Sequence, residues 1–181
     1  MARILANITP SHVRAAVAEA AIIAPTMREE LERILLGRRE LILRRFLSKI
    51  SPLAAPRIIA GDRGAEICLR DLAIAAGVAP SDSPRPYWTR GYQHVGGSQI
   101  TVLERGSLVR RGRDRICVSL PNVVDARLEH PAYLIIDLAA LDGWHDKEAA
   151  PLRIHVYQFG PGRYKLVGLE RPDNAAPPNA R

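Results

Sequence analysis

Cysteine, methionine, phenylalanine and tryptophan each occur only twice in these 181 residues, and lysine three times, at Lys49, Lys147 and Lys165. Cys68 and Cys117 stand far apart, so no Cys-x-x-Cys pair exists. Aromatic residues make up 5% of the chain, which leaves the core to Leu, Ile, Val and Ala. No run approaches the roughly 18 apolar residues of a membrane span, and the stretch MARILANITPSHVRAAV lacks the continuous apolar centre of a signal peptide. The phosphate-binding loop, the Rossmann glycine pattern, the zincin motif and G-x-S-x-G are missing too. No cofactor and no metal are therefore expected, and a non-catalytic protein ranks above an enzyme.

What is present is ordinary for a globular chain: 47% hydrophobic and 25% charged residues, in a length that can bury a real core. The net charge of +7 invites a nucleic-acid reading. Two features weaken it. Arginine supplies 23 of the 26 basic residues, a skew that a GC-rich coding sequence produces without selection for binding. The excess is also confined to the first two thirds, because residues 121–181 hold 7 basic against 8 acidic residues.

The first 50 residues predict a helical pair, over about 9–24 and 26–48. Thr9-Pro10 supplies a cap and a first-turn proline, Pro25 ends the first helix, and Thr26 with Glu29 forms a capping box for the second. In that second helix Met27, Leu31, Ile34, Leu35, Leu41, Ile42 and Phe46 gather on one side, the expected core face. Arg38, Arg45 and Lys49 project into or beside this stripe and must find acidic partners, reach water or meet an external anion. A membrane-surface helix is one reading of them, and Glu29, Glu30, Glu32 and Glu40 count against it.

Residues 51–94 read as a Pro/Gly-rich connection with one short helix at about 69–77. Short β-like runs follow, ending in a hairpin across Gly160-Pro161-Gly162, and predict a mostly antiparallel β-sandwich or barrel over about 95–171. A mobile tail over 172–181 completes an α+β chain. The segment LRDLAIAAGV opens like the first half of a helix-turn-helix, but Pro84 and Pro86 break the helix that would read DNA. Gly77 is instead expected to cap the short helix.

Three clusters carry candidate chemistry. Arg85, Tyr87, Trp88, Arg90 and Tyr92 interleave rings and guanidinium groups, as stacking on a protein or glycan partner requires, with one or two rings plugging the junction between helices and sheet as the plainer account. Arg105, Arg110, Arg111, Arg113 and Arg115 offer anion contacts, with a solvated strand edge as the plainer account. His94, Asp142 and His145 are the residues on which a small hydrolase or metal-dependent enzyme would rest, in a spacing that matches no strong ligand signature. Cys68 and Cys117, each inside an I-C-[LV] segment, are either buried free thiols or a disulfide between neighbouring strands. The bond would imply export, whereas a native start at Met1 favours the cytoplasm. The reading that follows is a non-catalytic binding or protein-interaction module, with a weak arginine-driven nucleic-acid binder as the alternative and an enzyme third.

Overall fold

The computed structural model describes residues 2–20, 24–47, 51–61, 64–80, 86–94, 100–103, 108–123, 131–140 and 150–172. Three helices come first: α1 (Ala2–Asn7), α2 (Pro10–Glu19) and α3 (Pro25–Leu47). The Thr9 hydroxyl accepts from the His12 amide while the His12 ring accepts from the Thr9 amide, so histidine takes the part that glutamate plays in most capping boxes. Pro25 does not close α2. It opens α3 one residue ahead of Thr26, where a proline lacks only a donor the helix cannot use.

The strands are β1 (Leu53–Gly61), β2 (Gly64–Asp71), β3 (Tyr87–His94), β4 (Ile100–Leu103), β5 (Leu108–Arg110), β6 (Arg115–Ser119), β7 (Ala132–Ala140), β8 (Leu152–Gly160) and β9 (Arg163–Glu170), with a one-turn helix α4 (Leu72–Ala75) after β2. They form two antiparallel sheets, ordered β1-β2-β6-β5 and β4-β3-β7-β8-β9, facing one another and not closed into a barrel. The chain is α+β, as its pattern predicts. The β-region is longer than expected, since the supposed connection at 51–94 contributes β1, β2 and β3. Its prolines are accommodated at irregular points. Ala55 takes a φ of 51° before Pro56, and the β1–β2 register shifts between Ala54 and Arg57, as a bulge requires.

The short helix is real but starts later than expected, because residues 69–71 belong to β2. Asp71 caps it, accepting from the amides of Ala73 and Ile74. At the other end Gly77 has a φ of 74°, Val78 N donates to Ala73 O at 2.8 Å, and Gly77 N donates to Ile74 O at 3.0 Å. That pair of bonds is a Schellman stop, for which glycine is the cheapest residue. The chain then builds strand β3 where a recognition helix would have to run.

Leu53, Ile67, Leu69, Ile116 and Val118 of the four-stranded sheet meet Leu134, Ile136, Leu138, Leu152, Ile154 and Val156 of the other in the main core. Gln158 is buried at its end, accepting from Val123 N and donating to the Gly160 carbonyl and the Asn122 side chain. A second cluster joins Ala6, Leu43 and Leu47 of the helices to Ala54, Leu72 and Ala73. Cys68 and Cys117 are buried, directly opposite each other in the β2–β6 ladder, and joined as a disulfide. Residues 173–181, most of the expected tail, lie outside the described residues.

Candidate functional site

The aromatic segment does not act as a unit. Tyr87 donates to the buried carboxylate of Asp71 at 2.6 Å and so ties β3 to the cap of α4. Tyr92 is only 1% exposed, which removes it from any contact surface. Alternation along β3 turns Trp88, Arg90, Tyr92 and His94 to one side of the sheet, and only Arg90 among them is fully exposed. Its guanidinium carbon lies 5.8 Å from the ring centroid of half-buried Trp88, a cation–π contact. Arg85 lies outside the described residues.

The arginine run is divided as well. Arg111 makes a two-point contact with Glu66, Nε to Oε2 and Nη2 to Oε1, both at 3.1 Å. Arg113 and Arg115 are exposed, while Arg110 belongs to β5. Arg115 sits opposite Arg70, whose Nε donates to Asp114 at 2.5 Å. Arg105 lies outside the described residues, and so do Asp142 and His145. Glu66 also approaches Cys68 and Cys117, but the two sulfurs are bonded to each other and offer no thiolate to an ion.

What the tertiary structure assembles instead is the outer face of the five-stranded sheet, in rows that cross the strands. One row is charged, with Arg90, Asp137, Arg153 and Glu170 in direct register on β3, β7, β8 and β9. Its centre is buried: Arg153 donates from Nε and Nη2 to the two oxygens of Asp137 at 2.8 and 2.9 Å. The Asp137 hydrogen bond raises the Arg153 pKa above the usual guanidinium value, so this cation stays charged. The other row is of rings, with His94, Tyr133 and Tyr157 in register and Lys165 at its end. Tyr133 and Tyr157 have centroids 5.1 Å apart, His94 meets the Tyr133 ring edge-on at 6.3 Å, and Phe159, 50% exposed, continues the strip at 6.1 Å from Tyr157.

Between the rows stands His155. Burial raises the Tyr133 pKa above the usual phenol value, helped by Tyr157 and Glu170, so the phenol keeps its proton. Tyr133 Oη and His155 Nδ1 share a hydrogen bond at 2.6 Å, and His155 Nε2 lies 3.3 Å from Glu170 Oε2. Near the charged row, the Trp88 indole nitrogen and the Tyr92 hydroxyl are buried with no partner among the described residues. Towards the ring row the face is partly exposed, His94, Tyr133, His155 and Tyr157 being half-buried and Phe159 and Lys165 exposed. At its β9 end Phe159 and Lys165 also border a groove lined by Ile58, Ile59 and Tyr164.

His155 carries no motif in the sequence, and its partners sit 22 residues before and 15 after it. Alternation along LRIHVYQF does place His155, Tyr157 and Phe159 on one side. Only the register of three strands adds Tyr133 and Glu170. No family model, curated protein or solved structure matches the chain.

Proposed function

We propose that the protein is a non-catalytic binding module whose contact surface is the ring-bearing outer face of the five-stranded sheet. The observation that carries this is the strip of His94, Tyr133, Tyr157 and Phe159 from three adjacent strands, bordered by Lys165 and Glu170. Rings fixed in a sheet lose little entropy on binding, and their flat faces suit the apolar faces of sugar rings. A strip laid across three strands suits an extended chain better than a small molecule, which needs a concave pocket. A glycan is therefore the ligand class this face suits best, with the Tyr133–His155–Glu170 chain and Lys165 available to its hydroxyl and acidic groups. A buried disulfide of this kind persists where the compartment is oxidising, which supports an extracytoplasmic place of work.

Affinity electrophoresis through gels containing single soluble polysaccharides tests the reading. At least one polysaccharide should retard the protein, and Tyr157→Ala and Phe159→Ala should abolish the retardation. The melting temperature of Phe159→Ala should stay near that of the parent, because that ring is half in water. Retardation by none of the polymers, or retardation that both variants retain, would refute it.

A further inference from the structure

The stripe of α3 that the sequence assigns to the core is turned outward over the second half of the helix. Leu43 and Leu47 are buried, whereas Leu41 is 69% exposed, Phe46 47% and Ile42 41%. Leu31 and Ile34 of the same stripe are half-buried in the first half, where α2 lies alongside and Arg14 reaches Glu32. Beyond α2, Leu35, Leu41, Ile42 and Phe46 are all exposed in part, Leu41 most, and Arg38 and Arg45 stand exposed between them. On the other side Arg39 Nε donates to the carbonyl of Ile8, just past α1, at 2.6 Å.

The carboxylates of α3 do not oppose this cationic stripe. Glu30 is paired with Arg33, Glu40 with Arg44 and Glu32 with Arg14, and at about 100° per residue none of the four acidic residues falls within the stripe. A stripe with apolar residues, two cations and no anion is complementary to an acyl layer under negative headgroups. We infer that α3 docks the protein on an anionic lipid surface, lying in its plane with Leu41, Ile42 and Phe46 inserted and Arg38 and Arg45 at the headgroups. No helix of the described residues is long and apolar enough to cross a membrane, so the contact is peripheral. This inference is independent of the sheet face.

Co-sedimentation of the full chain with vesicles tests it, using phosphatidylcholine alone and phosphatidylcholine with phosphatidylglycerol. Binding should occur on the mixed vesicles only and should weaken as salt rises. Arg38→Gln and Arg45→Gln should each lower the affinity about fivefold, from about 1 kcal/mol per charge. Ile42→Asp/Phe46→Asp should abolish it while moving the melting temperature little, since both side chains are partly exposed. Equal binding to both vesicle types, or no binding to either, would overturn the inference. So would a dimer in sedimentation velocity that Ile42→Asp/Phe46→Asp dissociates, because a second copy would then be the occupant.

Discussion

Strand β8 and helix α3 are both amphipathic in sequence, yet the pattern is obeyed in one and inverted in the other. In β8 the alternation puts Leu152, Ile154 and Val156 inward at 0–1% exposure and the rings outward, as written in LRIHVYQF. In α3 the richer apolar stripe faces outward, and a thinner one, Leu43 and Leu47, is the face that docks. Periodicity states which residues share a face. It does not state which face is covered. A central strand has both edges paired, so its position fixes where each face looks. A helix attached to the outside of a sandwich can be turned about its axis, and the surface it meets decides.

The largest expected effect lies on the outer side of β8, where polarity and exposure part company. Arg153→Ala leaves the Asp137 carboxylate buried without its partner and should cost about 3–5 kcal/mol in urea unfolding. A loss below about 1 kcal/mol would mean that this face is wet and that the charged row is no more than a surface pair. Reduction of the Cys68–Cys117 bond comes next. Its sequence separation of 49 residues corresponds to about 4 kcal/mol in the chain-entropy model. The parent chain should show no free thiol when unfolded without reductant, and two titratable thiols would remove the bond from the account.

The comparison within α3 is sharper still. Leu43→Ala should cost about 2–5 kcal/mol and Leu41→Ala no more than about 0.5, although the residues are neighbours of the same type. Equal losses would show that the exposed stripe is covered in solution. The smallest effect is alkaline. Burial raises the pKa values of Tyr133 and Tyr164, so above about pH 10 the unfolded chain releases protons that the folded one keeps. The contribution of these two tyrosines should be constant below that pH and decline above it, and Tyr133→Phe/Tyr164→Phe should flatten the decline. An unaltered slope in that double variant would place both phenols in water.

The candidate site was legible only in part. Tyr87 and Tyr92 look like surface rings because they stand among arginines and prolines, but Asp71 holds the first and the sheet buries the second. Proline density made 51–66 read as a connection, whereas a single bulge at Ala55 is enough to keep Pro56 within a strand. His155 had no companion in the sequence because both its partners are remote along the chain and near only across the ladder.

By itself the sequence determined what depends on local chemistry. The Thr9 cap, the Schellman stop at Gly77, the hairpin across Gly160-Pro161-Gly162, the α+β order and the inward parity of β8 all follow from dihedral preference and side-chain period. Tertiary structure alone decided what depends on register and docking. It set Asp137 against Arg153, aligned His94, Tyr133 and Tyr157, bonded Cys68 to Cys117, and turned the apolar stripe of α3 outward. The physical reason is range. Caps, turns and alternation are settled within a few residues, whereas a cross-strand neighbour or a covered face is chosen by the free energy of the whole packed chain.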